Sequence, residues 1–368
     1  MQPLIKWPGG KSGEIEQIKD IIPKDYNRYI EPFCGGAAVF FYLEPKKSII
    51  NDISLNLTSF YKLIKEENED FKNYMYGLNI LWENIKVKSK KSILELKELF
   101  SNYKNQNITK DDTKKFLQKY VEILLSDNDL DIIDNGLLLK EMKRTLIDKF
   151  FRTFNNEIKY NTNLTEQDLE ENLLTGISGG IYMAVRSEFN LLEHKNNLDD
   201  NEFSKKIALF YFVREFCYGS MFRYNKNGDF NIPYGGKGYN HKDYKKKLDI
   251  IFGQHTIDLL KNTNIKCGDF EEIFKQLDDE DFIFLDPPYD TDFSDYENKS
   301  FDKNDQIRLE KVLEKTKAKF ILIIKNTPFI YDLYNKECFN IKSFDNNYSY
   351  CVKNRNKRDV EHLIITNF

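Results

Sequence analysis

Cysteine is scarce in this sequence, and its spacing excludes several classes of protein. The chain of 368 residues has five cysteines, widely scattered and without a CxxC pair. Neither a disulfide framework nor a zinc site is therefore indicated, and a reducing compartment is expected. The four histidines show no metal-ligand spacing either, so we predict no bound metal.

Long apolar runs are also absent. No segment approaches the ~18 consecutive apolar residues that a membrane span requires, and the first residues, MQPLIKWPGGK, lack the apolar stretch of a signal peptide. We therefore expect a cytoplasmic protein with no membrane partner.

An overall excess of positive charge is missing as well. The 55 Lys and Arg residues against 59 Asp and Glu give a net charge of -4, which by itself argues against a nucleic-acid-binding protein. Net charge averages over patches, however. Between Arg214 and Lys247 the sequence has eight basic and three acidic residues, a local net charge of +5, interleaved with aromatic residues. Such a stretch is typical of a phosphate-contacting surface.

What is present is enough apolar material for a large core. Hydrophobic residues make up 40% of the chain, which excludes intrinsic disorder and allows one large domain with an insert, or two domains. Short apolar runs with polar flanks predict strands that are buried on both faces, and helical patterns lie between them, so an α/β sheet is expected. The predicted strands are Tyr29–Phe33, Ser48–Asn51, Phe282–Leu285, Lys319–Lys325 and His362–Thr366.

The middle of the chain reads as helical. From about Tyr61 to Tyr211 no strand pattern is convincing, and apolar residues recur at every fourth position in Leu138, Met142, Leu146 and Phe150. This predicts a helical domain inserted into an α/β domain. Its loops are expected at the polar stretches 101–107, 126–135 and 155–163.

The strongest chemical signal is Asp286-Pro287-Pro288-Tyr289, which directly follows a predicted strand. Ligands bind at the carboxyl ends of such strands. The two prolines remove backbone donors and leave carbonyl acceptors beside a carboxylate and an aromatic ring. An amino group stacked on Tyr289 could donate to Asp286 and to the Pro287 carbonyl, which favours methylation of an exocyclic amine. The alternative is a Pro-Pro turn that ends a strand.

A second segment, Glu31-Pro32-Phe33-Cys34-Gly35-Gly36, follows another predicted strand. Its glycines permit a sharp turn and a close approach to a ligand. The dinucleotide and P-loop patterns are absent, and the small residues suit the adenosine-methionine group better than a triphosphate. An ordinary strand–turn–helix corner is the alternative.

Two acidic residues have the position of ligand contacts. Asp52, followed by Ile53, ends a predicted strand about 20 residues after the Gly-Gly turn, where a carboxylate commonly accepts hydrogen bonds from ribose hydroxyls. Asp269, followed by Phe270, is a candidate acceptor for an adenine amino group. A helix cap or a turn is the alternative for each.

The basic stretches suggest contacts to nucleic acid. The first contains Ser220, Met221, Arg223, Tyr224, Asn225, Lys226 and Lys237, and Met221 is a candidate apolar wedge. The second, 353–358, includes Arg355. A solvated loop is the alternative for both.

In this order, the motifs resemble those of the Dam-type (α group) DNA adenine-N6 methyltransferases. The matching segments are KWPGGK (6–11), EPFCGGAAVF (31–40), Asn51-Asp52-Ile53 and Asp286–Tyr289. Tyr182–Asn190 and Tyr211–Tyr224 look more loosely like the family's pre-recognition helix and DNA-reading hairpin. The resemblance implies a Rossmann-like, S-adenosylmethionine-dependent sheet at 1–60 and 250–368, with an inserted, mainly helical DNA-recognition domain at 61–249. Residues near 85–180 exceed what the family core needs.

The resemblance also implies roles for individual residues. The expected catalytic residues are Asp286, Pro287, Pro288 and Tyr289. The expected S-adenosylmethionine contacts are Trp7, Lys11, Glu31, Pro32, Phe33, Gly35, Gly36, Asp52, Ile53, Asp269, Phe270 and Asp286. The expected DNA contacts are Lys6, Ser220, Met221, Arg223, Tyr224, Asn225, Lys226, Lys237 and Arg355.

The implied reaction transfers a methyl group to N6 of an adenine flipped out of duplex DNA, leaving S-adenosylhomocysteine, with no metal. A monomer is expected, prokaryotic or phage-encoded, either solitary or accompanied by a restriction endonuclease. Cytosine-N4 methylation and a catalytically silent DNA-binding regulator are the alternatives. Gly236-Lys237 stands where members that read GATC usually have an arginine, which argues against that target.

Overall fold

The computed structural model describes residues 1–10, 13–126, 131–288, 301–347 and 359–368. In chain order the elements are α1 Ile15–Ile18, β1 Tyr29–Glu31, α2 Ala38–Leu43, β2 Ser48–Asp52, α3 Leu55–Lys65, α4 Glu69–Lys91, α5 Ile93–Lys104, α6 Lys110–Leu125, α7 Asn135–Tyr160, α8 Glu166–His194, α9 Asp200–Phe216, α10 Tyr244–Ile251, α11 Gln254–Lys261, β3 Thr263–Cys267, α12 Glu271–Phe274, β4 Phe282–Leu285, α13 Lys303–Lys315, β5 Lys319–Lys325, α14 Pro328–Tyr334, β6 Asn340–Asn347 and β7 Asp359–Thr366.

The chain forms two compact units. Met1–Glu66 and Gly253–Phe368 make up the α/β unit, and Glu67–Phe252 makes up the helical unit. The α/β unit contains all seven of the described strands, whereas α4 to α10 belong to the helical unit. The chain thus leaves the α/β unit after α3 and returns to it before α11.

A mixed seven-stranded sheet is the framework of the α/β unit. Its order is β3-β2-β1-β4-β5-β7-β6. The pairings from β3 to β5 are parallel, and β7 runs antiparallel to both of its neighbours. This confirms the predicted fold class of a Rossmann-like α/β sheet with helices between its strands.

The predicted strands are all present, but their limits differ and two strands were missed. Strand β1 ends at Glu31 rather than at Phe33, because Pro32 has no N–H to donate to a sheet ladder. Strands β3 and β6 lie at the two edges of the sheet. Their sequences, TNIKC and NIKSFDNN, are mainly polar, so they lack the apolar run that identifies a doubly buried strand.

The centre of the sheet explains why the remaining strands were recognisable. Every residue of β4 is buried, and so are the five central residues of β5. Leu309 and Leu313 of α13 pack against this sheet core. Full burial of each such side chain stabilises the fold by about 1.5–3 kcal/mol, so α13 is firmly seated on the sheet.

Helices α7 and α8 of the helical unit pack at very close range. The four predicted apolar residues of α7, from Leu138 to Phe150, are all fully buried, which confirms that helical face. A Cβ atom on Gly180 of α8 would lie 2.6 Å from the Met142 Cα, so only glycine permits this approach.

The loop predicted at 155–163 is wrong for its first six residues. Helix α7 continues to Tyr160, and Asn161 ends it in a left-handed conformation with φ 48°. Asparagine tolerates that conformation. The helix therefore ends at Asn161, and the earlier asparagines Asn155 and Asn156 lie inside it. Within the described ranges, no helix combines the length and apolarity needed to cross a membrane.

Candidate functional site

A crevice is expected where the strand order of the sheet reverses. Strands β1 and β4 are neighbours, but the chain continues from β1 to β2 on one side and from β4 to β5 on the other. Ligands of open α/β sheets bind at the carboxyl ends of the strands beside such a point. Glu31 and Asp52 are the last residues of β1 and β2, and Asp269 and Asp286 come shortly after β3 and β4.

The N-terminal motif and the Gly-Gly turn are in direct contact. Gly35 has φ +47°, and a Cβ atom on it would lie 2.7 Å from Cδ1 of Trp7. A Cβ atom on Gly36 would meet the Trp7 Cβ at 3.3 Å. Glycine is therefore required at position 35 by the indole ring as well as by the turn, and the fit at Gly36 is tight. Lys6 is half-buried next to Trp7, whereas Lys11 lies outside the described residues.

Asp52 is bound to this same turn through backbone donors. Its Oδ2 accepts from the Gly35 N–H at 2.9 Å, and its Oδ1 accepts from the Ser54 N–H at 2.9 Å. Burial raises the pKa of Asp52, and these N–H groups together with that of Ile53 act in the opposite direction. The neighbouring Ile53 side chain is 39% exposed, which leaves an apolar surface beside the carboxylate.

Asn51 was not predicted as a site residue, yet it ties the loops together. Its side chain is buried, and Nδ2 donates to the Pro32 carbonyl at 2.9 Å and to the Gly268 carbonyl at 3.0 Å. It thereby joins the segments that follow β1 and β3. The Cys34 N–H also donates to the Asn51 carbonyl at 2.8 Å. The sequence near Asn51 does not indicate this role, because both acceptors lie on segments distant from it in the chain.

We expect Asn51→Leu to destabilise the α/β unit by roughly 2–4 kcal/mol, because the buried Pro32 carbonyl and the partly buried Gly268 carbonyl would lose their donor. Thermal unfolding and binding of S-adenosylmethionine, measured by calorimetry, should both show the loss. Asn264→Leu, the same change at an exposed position of the adjacent strand β3, is the matched control. An unchanged melting temperature for Asn51→Leu would contradict this role.

Glu31 is a buried carboxyl group at the carboxyl end of β1. It accepts from the Tyr29 hydroxyl at 2.9 Å. Burial raises the pKa of Glu31 well above its ordinary value, the Tyr29 and Phe40 hydrogen bonds oppose this, and the charge of Asp286 adds to it. Because β1 and β4 are adjacent parallel strands, their carboxyl ends, which carry Glu31 and Asp286, lie at the same edge of the sheet.

Cys34 lies in the same turn but is not a candidate nucleophile. Burial raises the pKa of its thiol well above the ordinary value, and the charges of Asp52 and Glu31 act in the same direction. A neutral thiol is a poor nucleophile. The site therefore offers no thiolate at this position. Within the part of the chain that is described, no group of three His, Cys, Asp or Glu residues is arranged to hold a metal ion.

The catalytic candidates follow β4. Asp286 is partly buried, Pro287 is buried and Pro288 is partly buried. The Asp286 carboxylate and the Pro287 and Pro288 carbonyl groups thus lie at the carboxyl end of the buried strand β4. Tyr289 and, in the second basic run, Arg355 lie outside the described residues.

Asp269 and Phe270, the last two cofactor candidates, have different surroundings. Phe270 is buried, and its ring centroid lies 5.3 Å from that of Phe33, so both aromatic residues belong to one packed cluster. Asp269 accepts from Arg308 Nη2 at 2.8 Å and from the Glu271 N–H at 2.9 Å. The structure thus shows Asp269 in a turn that precedes α12, paired with Arg308.

The second candidate site, in the helical unit, is a hairpin at 217–234. Antiparallel bridges join Cys217 to Tyr234 and Tyr224 to Phe230. The prediction that the hairpin begins at Tyr211 is wrong, because α9 continues to Phe216. The run FYFVREF is buried in the core of the helical unit, and packing keeps it helical despite its strand-like composition.

Four side chains of α8, spaced by four residues, hold this hairpin. The Tyr182 hydroxyl and Arg186 Nη1 both donate to the Ile232 carbonyl, at 2.8 and 3.0 Å. Asn190 exchanges two hydrogen bonds with the Phe230 backbone, and His194 Nε2 lies 2.8 Å from Asp229 Oδ1. Residues at this spacing share one face of a helix, so α8 is a rigid support for the returning strand.

The DNA-contact candidates on the hairpin differ in how they are held. Met221 is 38% exposed. Lys226 is exposed, and so is Arg223, although its Nε donates to Asn231 Oδ1 at 2.9 Å. These three residues combine an apolar and a cationic surface, as a nucleic-acid contact requires.

Other candidates serve the hairpin itself. Asn225 Oδ1 accepts from the backbone N–H groups of Asn227 and Asp229 at 2.8 and 3.0 Å, and thus closes the turn. The Tyr224 ring packs at 5.6 Å from that of Phe230. Ser220 ends a short 3-10 turn. The Lys237 ammonium lies 3.0 Å from Asp168 of α8.

The basic surface predicted between Arg214 and Lys247 does not include Arg214. Arg214 was counted in the basic surface, but its side chain is fully buried, and Nη1 donates to the Met221 carbonyl at 2.7 Å. Its guanidinium also lies 4.6 Å from the centre of the Phe222 ring. This charge therefore stabilises the loop that carries Met221 and is not available to phosphates.

Comparison with known proteins identifies the family of this chain. The family model of the D12 class N6 adenine-specific DNA methyltransferases matches residues 7–127 and 120–350. The type II methyltransferase M.MjaIII of Methanocaldococcus jannaschii is 28% identical over 100% of this chain and 99% of its own length. The retron Ec67 DNA adenine methylase of Escherichia coli is 32% identical over 85% of this chain and 73% of its own length.

A third relative, the type II methyltransferase M.CviBI of Paramecium bursaria Chlorella virus NC1A, is 26% identical over 91% of this chain and 87% of its own length. The family description names N6 of adenine, which confirms the predicted base and does not support N4 of cytosine. Since the family model covers most of both units, this chain belongs to the D12 class of N6 adenine-specific DNA methyltransferases.

Proposed function

We propose that the α/β unit binds S-adenosylmethionine at the carboxyl ends of β1, β2 and β3 and methylates an adenine presented at the end of β4. The observation that carries this proposal is the position of Asp286-Pro287-Pro288 at the carboxyl end of β4, next to β1, where the strand order reverses. A flipped-out adenine would donate its two N6 hydrogens to the Asp286 carboxylate and the Pro287 carbonyl. Tyr289 follows in the sequence and would supply the stacking surface.

The residues of the cofactor site fit the proposed ligand. The Gly35-Gly36 turn packs against the Trp7 side chain, and the Asp52 carboxylate has acceptor capacity for ribose hydroxyls beyond its two backbone donors. Ile53 offers an apolar contact for a base. When it is bound, S-adenosylmethionine supplies an electrophilic methyl group. The protein contributes the position and the electrostatic environment of the attacking amine.

The remaining cofactor candidates have supporting roles in this proposal. Pro32 and Phe33 shape the turn after β1, and Phe270 packs against Phe33. Asp269 would accept from the adenine amino group of the cofactor with the oxygen that Arg308 leaves available. Lys11, by its place in the N-terminal motif, would contact the carboxylate of the methionine group.

The helical unit is proposed to bind duplex DNA through the 217–234 hairpin. Arg223 and Lys226 would contact DNA, and Met221 would enter the base stack at the target. Wedging an apolar side chain between bases offsets part of the few kcal/mol that base flipping costs. Lys6 and Arg355 are proposed as further DNA contacts from sequence. The insert proposed at 85–180 precedes the hairpin in the chain and would enlarge the DNA-contacting surface.

We expect Met221→Ala to reduce base flipping without loss of S-adenosylmethionine binding. The fluorescence of 2-aminopurine placed at the target adenine rises on flipping, and this rise should fall by roughly 3- to 10-fold, the equivalent of about 1 kcal/mol in the flipping equilibrium. Leu191→Ala is the matched control, because Leu191 is a 66% exposed residue of α8 in the same unit. Equal fluorescence in Met221→Ala and the wild type would exclude the wedge.

The wider biological setting is also a proposal. The names of type II methyltransferases among the relatives support a cognate restriction endonuclease as partner, and a solitary methylase is the alternative. A cytoplasmic monomer fits the modification of DNA in a prokaryote or by a phage. Because Gly236-Lys237 replaces the expected arginine, and the Lys237 ammonium pairs with Asp168, we propose a target other than GATC.

A further inference from the structure

A buried glutamine outside every motif contacts the catalytic segment. Gln306 is fully buried in the first part of α13, and its Nε2 donates to the Pro288 carbonyl at 3.3 Å. Because that carbonyl can only accept a hydrogen bond, the amide must present its NH2 group to it. The orientation of the Gln306 side chain is thus fixed by Pro288.

The oxygen atom of the same amide is in a different situation from the nitrogen. Gln306 Oε1 is buried and has no hydrogen-bond partner in the described part of the chain. Leaving a buried acceptor without a donor is unfavourable for the folded state. The folded state would therefore be equally stable with an apolar side chain of the same shape at position 306. The bond to Pro288 is what the glutamine contributes.

Helix α13 is a firm base for this bond. Its first turn has a capping box, in which Asp302 accepts from the Asp305 N–H at 3.1 Å and Asp305 accepts from the Asp302 N–H at 3.0 Å. Leu309 and Leu313 seat the helix in the core of the sheet. The Gln306 donor therefore has a fixed position relative to β4.

We propose that Gln306 is a positioning residue of the methyl-transfer reaction, which holds the Asp286-Pro287-Pro288 segment in its reactive conformation. A peptide group is planar, so fixing the Pro288 carbonyl fixes the plane of the peptide that follows. With proline φ angles already restricted, the direction of the preceding Pro287 carbonyl is then limited too. That carbonyl is one of the two proposed acceptors of the adenine amine, so this inference rests on the function proposed above.

The test compares Gln306→Met with the wild type in full-length enzyme and duplex substrate. Methionine has a similar length and removes both the donor and the unpartnered acceptor. We expect an unchanged or higher melting temperature and nearly unchanged KM values for S-adenosylmethionine and DNA. The kcat of methyl transfer should fall by about 10- to 100-fold, the effect of misplacing a reacting group by about 1 Å.

A second variant and a control make the result decisive. Gln306→Glu keeps the shape but turns an acceptor towards the Pro288 carbonyl, so its kcat should be lower still. Gln276→Met is the control, because Gln276 is exposed and its Nε2 donates to the Glu272 carbonyl elsewhere in the α/β unit. That variant should match the wild type.

Three outcomes would overturn the proposal. They are a kcat of Gln306→Met within about twofold of the wild type, a loss confined to KM, or a Gln306→Met protein that does not fold, which would make the residue structural. Asp286→Ala separates this failure from that of the proposed function. If Asp286→Ala is inactive while Gln306→Met is fully active, only the role of Gln306 is refuted.

Discussion

Asp286→Ala is expected to lower kcat on the order of 10³-fold or more while DNA binding remains close to the wild-type level. Removing one pre-organised group that acts on the reacting atoms costs about 10²- to 10³-fold in other enzymes. Here the Asp286 carboxylate would orient the adenine N6 amine by accepting a hydrogen bond from it. Incorporation of tritiated methyl groups into DNA measures the rate, and fluorescence anisotropy of labelled duplex measures the binding.

The control for this variant is Asp332→Ala, which removes an exposed carboxylate of α14 in the same unit. It should have wild-type activity. Full activity in Asp286→Ala would refute the proposed mechanism. A wild-type protein that binds S-adenosylmethionine and DNA but methylates no duplex would instead favour the alternative of a catalytically silent regulator.

Gly35→Ala is expected to produce the second large effect, a loss of about 2–4 kcal/mol in unfolding free energy and at least tenfold weaker binding of S-adenosylmethionine. A left-handed conformation costs a non-glycine residue about 1–2 kcal/mol. The added Cβ would also lie 2.7 Å from the Trp7 ring, and such overpacking costs about 1–3 kcal/mol. Displacing the ring would distort the surface proposed to hold the cofactor.

Thermal unfolding and calorimetric titration measure the two losses. Gly13→Ala provides the matched control, since a Cβ at Gly13 would contact nothing within 4 Å. If Gly35→Ala were as stable as Gly13→Ala and bound the cofactor equally well, the contact between Trp7 and the Gly-Gly turn would have no functional importance.

The elements with a strong local pattern could be predicted from sequence. Strands β4 and β5 are continuous apolar runs because helices cover both faces of a parallel sheet, and α7 repeats its apolar residues at fourth positions. Edge strands β3 and β6 carry no such pattern. Their residues are polar and become strands only because a neighbouring strand is available for pairing.

The same distinction applies to the candidate site. The segments at Glu31, Asp52 and Asp286 could be located because glycine, proline and carboxylate residues follow predicted strands. The residues that hold these segments together, Asn51 and Gln306, could not. Each acts through a hydrogen bond to a segment distant in sequence or to a carbonyl group on another element, and a single sequence has no local signal for such a contact.

Charge was the least reliable guide. The net charge of -4 did not exclude a DNA methyltransferase, and the local excess of basic residues included the buried Arg214. Composition cannot distinguish a guanidinium that contacts solvent from one that is bound to a carbonyl in the core. Only the fold makes that distinction.

The central claim is that this enzyme methylates N6 of adenine in duplex DNA at one sequence. Single-molecule sequencing of genomic DNA from cells that express the wild type, compared with cells that express Asp286→Ala, tests it most directly. We predict N6-methyladenine at a single motif other than GATC in the first sample, and none at that motif in the second. N4-methylcytosine, or no modified base in either sample, would contradict the account.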